Sequence, residues 1–331
     1  MPDMQQAEAP IGFGTRHSSH EETCQDSGGK PRDAVLVAGA TGYLGTRVVK
    51  ALAAERFRVK SLCRPSSNHK HLEEDSTIVF GDVAAQHEGG LVDHLSDVKV
   101  VISCLGSSIT SGDAEAIDRD GNIWLLNEAK DAGVEHLIVV AVFNGPNMCN
   151  RVRIVRLKEE AVNVVTKVAR LCGMKYTIVR PTGFFKDMEE LFMQTVKTGK
   201  FPLISNGSAK VNPISGEDLA RRICKCISTP LDWNTSVDVG GPDVFSMRQI
   251  GLLACEALKK PPQFQQAPAW VVQVARWILG AFGSVVPIFR KYLDALQFID
   301  YVSTHDNVAV SFGSDHLKEY YEKLASRICG L

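Results

Sequence analysis

Charge of one sign is the first thing the sequence lacks. Its 331 residues carry 37 Lys and Arg against 38 Asp and Glu, a net charge of −1. No global field gathers polyanions, so nucleic-acid binding loses its simplest support, and an acidic-substrate trap is no better supported. A disulfide framework is missing as well. The 9 cysteines are odd in number and scattered along a long chain, and no CxxC pair offers a zinc knuckle, so no metal site is expected. They read as reduced thiols in a reducing compartment, the cytoplasm or an organelle stroma, and not in a secreted protein. The stretch Met1 to Lys30 has almost no aliphatic residues and therefore no apolar h-region, and residues 1–32 are expected to be a disordered leader. Long apolar runs are absent too. Trp270 to Phe289 comes nearest, but Gln273 and Arg276 interrupt it, and Gly280, Gly283 and Pro287 break its helical regularity. Such a stretch suits a packed helix pair, the wall of an apolar pocket, or a surface resting on lipid, which leaves a weak membrane-surface contact through 270–289 among the readings.

What is present is enough apolar residue, 44% of the chain, to bury a proper core. Ala34 to Ala38 is a continuous apolar run of the kind buried on both faces of a parallel sheet. Similar runs follow at Arg58 to Cys63, Thr77 to Phe80, Val98 to Cys104, His136 to Ala141 and Lys175 to Arg180. Amphipathic stretches at Leu44 to Glu55, Ala114 to Ala132 and Arg156 to Cys172 alternate with them. Strand and helix in this rhythm mean βαβ units, hence an α/β fold with helices on both faces of a parallel sheet. Gly133 and Gly173 stand where two of these helices should stop. After Arg180, eight prolines from Pro181 to Pro268 cut the chain into short, mostly helical pieces, and one more strand is expected at Ser236 to Val239. The two long helices Ala114 to Ala132 and Arg156 to Cys172 suit a twin as well as solvent, which leaves the oligomeric state open.

The most specific motif is Gly39-Ala40-Thr41-Gly42-Tyr43-Leu44-Gly45, directly after the first strand and opening a helix. One glycine permits the tight turn, one lets the backbone approach a pyrophosphate, and one lets helix pack on strand. The helix N-terminus offers N–H groups and a positive dipole end to the phosphates. A dinucleotide site is expected here. An NAD site usually carries an acidic residue at the end of the second strand, whereas this strand ends Cys63-Arg64-Pro65-Ser66-Ser67. Arg64, helped by Ser66 or Ser67 and with Arg47 nearby, suits a 2′-phosphate, so NADP(H) is favoured over NAD(H). Asp82 and Val83, after the third strand, are placed to meet the adenine edge, though Asp82 could equally cap a following helix.

These residues resemble the atypical and extended short-chain dehydrogenase/reductases, from about Asp33 to Leu324. Besides the glycine loop, the resemblance is carried by Asp118-Arg119-Asp120-Gly121-Asn122, Glu128 to Val134, Tyr176 to Phe185, and Asn212 to Ala220. The last two stretches, with Val239-Gly240-Gly241-Pro242, look most like the branch of divinyl chlorophyllide 8-vinyl reductases. The resemblance implies a Rossmann-type doubly wound parallel sheet over residues 33–181 that binds the nucleotide. It implies a small, mostly helical substrate or lid region over 182–331, with 209–242 returning to the sheet. By the same resemblance Gly39, Thr41, Gly42, Tyr43, Leu44 and Gly45 line the pyrophosphate, Gly106 approaches the middle of the cofactor, and Pro181 completes the cofactor-binding set. Lys158 stands where the superfamily's active-site lysine stands, and its implied role is to hold the nicotinamide ribose.

Two absences qualify that picture. The tyrosine expected four residues before the lysine is Ile154, and the serine expected after the fifth strand is Ala141. Ile154 cannot donate a proton, and Tyr176 lies in an apolar strand. Two classes of function follow. One is an NADPH-dependent reductase that transfers hydride to a conjugated C=C (or C=O) of a small apolar molecule without the usual tyrosine. The aromatics Phe143, Phe184, Phe185, Trp270 and Trp277 could wall its substrate site, or be plain core. Lys186, Asp187 and His305 are its candidate proton donors, each as easily a surface group. The other is a non-catalytic NADP(H)-binding regulator, sensor or assembly factor.

Overall fold

The computed structural model describes residues 32–85, 90–107, 113–283 and 287–330, so the expected leader lies almost wholly outside it. The chain runs β1 (Arg32–Ala38), α1 (Tyr43–Ala54), β2 (Phe57–Cys63), β3 (Thr77–Phe80), α2 (Val92–Leu95), β4 (Val98–Ser103), α3 (Gly121–Asp131), β5 (His136–Val140), α4 (Gly145–Met148), α5 (Arg153–Cys172) and β6 (Lys175–Pro181). It continues through α6 (Phe185–Thr198), β7 (Phe201–Ile204), β8 (Lys210–Val211), α7 (Gly216–Ser228), β9 (Thr235–Val239), β10 (Phe245–Ser246), α8 (Met247–Ala257), β11 (Phe264–Ala267), α9 (Ala269–Gly283), α10 (Pro287–Thr304) and α11 (Leu317–Cys329). Seven strands form one sheet in the order β3-β2-β1-β4-β5-β6-β9, every pair parallel. The order reverses between β1 and β4, so the carboxyl ends of those strands open a crevice, the usual ligand position in a doubly wound sheet.

Alternation along each strand feeds two cores. From β1, Val35 and Val37 pack with Leu44, Val48 and Leu52 of α1 and Leu219 and Ile223 of α7. Ala34, Leu36 and Ala38 face the other way, toward Leu125, Leu126 and Ala129 of α3 and Val162, Val165 and Ala169 of α5. Both faces are covered, which is why the strands read as unbroken apolar runs. The two helix stops lie where the glycines stand: Gly133 and Gly173 have φ of +72° and +76°, left-handed values that a side chain resists.

The structure departs from the expected elements in two places. The helix expected from Ala114 opens with a π-helical turn over Glu115–Asp120 before α3 begins. There Asn122 Nδ2 donates to the carbonyl of Asp118 at 2.9 Å, so a side chain enters the backbone ladder. Downstream of β6 the chain is less purely helical than its prolines suggest, because β7 pairs with β11 and β8 with β10 in two small ribbons. A third core, built on Phe185, Phe192, Phe201, Ile250 and Tyr321, ties α6, β7, α8 and α11 together.

Candidate functional site

The glycine loop meets the two demands of a phosphate cradle. Gly39 has φ +74°, and a Cβ on it would lie 2.8 Å from the carbonyl oxygen of Cys104, so only glycine fits beside the end of β4. A Cβ on Gly45 would lie 2.1 Å from the Gly39 oxygen, which makes Gly45 the close-packing residue between loop and helix. Gly42 is the N-cap of α1; no side chain caps it and no carboxylate stands in the first turn. The N-terminal end of α1, with Tyr43 and Leu44, therefore keeps its positive character for an anionic ligand. Thr41 is half-buried in the same turn. Burial pushes the Tyr43 phenol up to about 12, so its hydroxyl stays protonated.

At the adenine side, Arg64 is exposed just beyond β2 and has no ion-pair partner among the described residues. Its carbonyl accepts from the Ser67 N–H at 2.9 Å and from Ser67 Oγ at 2.7 Å, so Ser67 builds the turn that follows Arg64. Arg47 is differently placed than the sequence suggests. Its Nε donates to Glu217 at 2.7 Å, its Nη1 to the Tyr43 carbonyl at 2.7 Å, and its plane lies over the Tyr43 ring. It locks α1 to α7 and is not available to assist Arg64. Asp82 caps no helix: its Oδ1 accepts from the Ala84 N–H at 3.0 Å within a turn, while Val83 packs against Gly121.

The other end of the crevice is built around Lys158. Its ammonium donates to the Leu105 carbonyl at 2.8 Å and pairs with Asp118 Oδ1 at 3.0 Å, with the two side chains 12% and 7% exposed. It is not a surface helix lysine. Gly106 follows immediately, and among the described residues a Cβ there would stand in ordinary van der Waals contact with Lys158 Nζ at 3.5 Å and Asp118 Oδ1 at 3.9 Å, so the Gly106 backbone lies directly beside the ammonium. Ser107 closes the group by donating N–H and Oγ to Asp118 Oδ2 at 3.0 and 2.5 Å. A charge desolvated like this needs a partner, and Asp118 supplies it. The partnership is not evident from sequence spacing, although Asp118 opens the Asp-Arg-Asp-Gly-Asn motif.

The neighbouring loop after β5 is pinned by a second buried pair. Arg180 Nη1 donates to Glu159 Oε1 at 2.5 Å and to the Val142 carbonyl at 3.0 Å, and Nη2 donates to Glu159 Oε2 at 2.8 Å. A Cβ on Gly145 would lie 2.1 Å from Glu159 Oε1, so the loop passes directly over this pair. Pro181 is buried at the end of β6 and its carbonyl accepts from Phe143 N–H at 3.1 Å. A lone arginine in an apolar strand is the signal that could have announced the arrangement.

The expected proton relay is absent where it was sought. Ala141 is buried, and Ile154 packs with Met148, Val152, Val155 and Tyr301 in a small apolar cluster. Tyr176 is buried on the sheet, its hydroxyl accepting from Arg170. Of the candidate donors, Lys186 pairs with Glu189 at 3.2 Å, and His305 stacks on Tyr301 with centroids 4.2 Å apart. Asp187 accepts from the Phe184 N–H at 3.0 Å. Protein crowding pushes its carboxyl up to about 6, although its side chain keeps one side open to solvent. Of the aromatics, Phe184 meets Tyr43 edge-on at 5.9 Å, Phe185 is core, and Trp270 and Trp277 stand exposed on α9.

A family profile described as NAD(P)H-binding matches residues 39–230, which takes in the glycine loop, the Lys158 group and α7. The chain belongs to the NAD(P)H-binding family. Its likeness to the 8-vinyl reductases extends over most of the sequence: the chloroplastic divinyl chlorophyllide a 8-vinyl-reductase of Oryza sativa subsp. indica is 28% identical, covering 88% of this chain and 78% of that protein. It is also similar to the photosystem II assembly factor Ycf39 of Guillardia theta, 22% identical over 89% of this chain and 96% of that one. Among solved structures, the leucoanthocyanidin reductase–NADPH complex from Vitis vinifera superposes with a TM-score of 0.66, at 16% identity, over 88% of this chain and 99% of that one. The Rossmann-type fold and the resemblance to atypical short-chain dehydrogenase/reductases are thus shown. This NAD(P)H-binding family member also carries no helix, among the described residues, that is long and apolar enough to cross a membrane.

The residues present fit a nicotinamide dinucleotide. The uncapped N-terminus of α1 at Gly42 offers N–H groups to a diphosphate, the left-handed turn at Gly39 seats the loop against the end of β4, and the Gly106 backbone lies beside the Lys158 ammonium. Among the described residues there is no cluster of metal-ligating side chains.

Proposed function

We propose that the protein is an NADPH-dependent reductase that reduces a conjugated C=C, or a C=O, of an apolar substrate. The observation that carries this reading is the Lys158 ammonium, held just past the end of β4 by Leu105 and Asp118 with the Gly106 backbone directly beside it. Lys158 would hold the nicotinamide ribose hydroxyls, and Asp118 would keep the ammonium charged and aimed. Gly39, Thr41, Gly42, Tyr43, Leu44 and Gly45 would hold the diphosphate, Asp82 and Val83 would border the adenine, and Pro181 would line the sheet edge. Arg64 supports the 2′-phosphate, and hence NADP(H) over NAD(H). A nicotinamide nucleotide held there would supply the hydride, and the accompanying proton would come from solvent or a nearby acid. Because that proton need not come from a tyrosine, Ile154 and Ala141 are compatible with C=C reduction. The similarity to 8-vinyl reductases supports the same chemistry.

A second reading keeps the nucleotide and drops the reaction. It is favoured by Ile154 and Ala141 themselves and by the similarity to an assembly factor. One experiment separates the two: NADPH consumption is followed with a panel of vinyl, enone and quinone acceptors, beside calorimetric NADPH binding. The reductase reading expects turnover that Lys158→Ala reduces by about two orders of magnitude. Tight NADPH binding with no acceptor consumed anywhere in the panel would transfer the case to the binder.

A further inference from the structure

The solvent face of α9 runs against the usual pattern of a helix hairpin. Trp270, Val271, Val274, Trp277 and Ile278 are all exposed, the two tryptophans at 66% and 76%. Their spacing of i, i+1, i+4, i+7 and i+8 puts them in one stripe roughly 120° wide, the arc that a soluble helix turns inward. The charged residue of this helix points elsewhere, since Arg276 reaches Asp300 of α10 at 2.5 Å. α10 adds Tyr292 and Ile299, also exposed.

The charges around the stripe say what could cover it. From Pro261 to Leu293 the sequence has Arg276, Arg290 and Lys291 and no Asp or Glu at all. Arg276 is neutralised by Asp300, and Asp294, the next carboxylate, is buried and pairs with Arg153 with Arg290 nearby; exposed Arg290, with Lys291 beside it in sequence, is the charge at the start of α10. A second copy of this chain docking by the same face would offer Arg290 and Lys291 no carboxylate from this stretch. An anionic lipid surface would meet indoles at its headgroup level and opposite charge around them.

The same hairpin also lines two hollows. Two cavities of about 300 and 400 Å³ share Arg276 and Gln297 in their walls. The larger is bounded by exposed Trp277 and by Leu293, and the smaller reaches Tyr301. The Tyr301 hydroxyl accepts from Asn144 Nδ2 at 3.1 Å, which joins this wall to the loop after β5. We infer that the α9–α10 hairpin seats the protein on an anionic bilayer surface, with Trp270 and Trp277 in the headgroup layer. This docking does not rest on the reductase reading.

The full chain is tested by flotation with phosphatidylcholine vesicles and with vesicles containing a minority of phosphatidylglycerol, in the absence of NADPH and acceptor. Binding to the anionic vesicles is expected, with a blue shift of tryptophan emission. Trp270→Ser combined with Trp277→Ser should lower the partition coefficient about tenfold or more. Arg290→Gln with Lys291→Gln should lower it on the anionic vesicles only. Unchanged NADPH binding by each variant shows that it is folded, and keeps this test separate from the reductase reading. Absence of binding to either vesicle, or equal binding by the double serine variant, overturns the proposal. So does a dimer in analytical ultracentrifugation that the serine variant dissociates, since the covering partner is then a second copy.

Discussion

Single side chains at the crevice divide into those whose surroundings announce a ligand and those that serve the protein. Arg64 is the proposed member of the first kind: it is exposed just beyond β2, while its own backbone is fixed by Ser67. A charge-assisted contact to a phosphate contributes roughly 1.5–3 kcal/mol, so Arg64→Asp should move the NADPH-to-NADH affinity ratio toward NADH by about ten- to a hundredfold. Calorimetry with both nucleotides measures that ratio, and an unchanged one removes Arg64 from the 2′-phosphate. Arg47 belongs to the second kind, because Glu217 and the Tyr43 carbonyl use its donors. The two arginines look alike in the sequence, each close to the glycine loop or the second strand end. What separates them is the docking of α7 against α1, a contact between segments 170 residues apart, and no local pattern encodes it.

Elements were legible in proportion to how local their causes are. The βαβ rhythm, the glycine loop and the two glycine stops are each written within a dozen residues, so the sheet and the phosphate cradle could be read before any coordinates. The ribbons β7–β11 and β8–β10 could not, because their strands are short and pair across long separations. The same holds for the buried pairs. Arg180 and Glu159 stand 21 residues apart on β6 and α5, and their meeting depends on how that helix crosses the sheet. This pair is the element-scale lever, for it fixes α5, β6 and the loop after β5 at once. Both side chains are less than a tenth exposed. Removing one partner leaves a buried charge, so Glu159→Met alone should cost about 3–5 kcal/mol. Glu159→Met together with Arg180→Met should cost clearly less than the sum of the single changes, since neither charge is then stranded. Urea denaturation of the four proteins gives the cycle; strictly additive costs would mean that the pair holds the loop no more firmly than independent contacts do.

For the whole molecule, Asp187 and His136 bear on stability in the mildly acidic range: Asp187 has a raised pKa that favours the folded state as pH falls, but solvent screens this exposed residue, whereas His136 is buried at the amino-terminal end of β5. His136 opens β5, is buried, and lies 2.9 Å through Nε2 from Thr177 Oγ1 of β6. The Thr177 hydroxyl donates onward to the Asp232 carbonyl at 2.8 Å, so it must accept from the imidazole, which carries its proton on Nε2. Burial, with Lys175 nearby, pushes the His136 pKa down from 6.5 to about 4. A depressed histidine favours the neutral form in the folded protein. Its contribution is therefore fully present above the unfolded pKa and is lost as pH falls from 6.5 toward 4. Between pH 7 and pH 5 the folded state should lose about 2 kcal/mol on this account. His316 works in the opposite sense, its pKa raised by the hydrogen bond to Asp243, but that pair is exposed and solvent screens it. The carboxylates held low by Lys60, Lys99 or Arg222 neighbours, Asp97, Glu135 and Asp232, contribute only at more acidic pH. His136→Gln keeps a donor for Thr177 without a titratable proton, so it should flatten the stability profile between pH 7 and pH 5 even if it lowers stability overall. Equal slopes for the two proteins in that interval would place the titrating group elsewhere, and would mean that the β5–β6–β9 edge admits water to the imidazole.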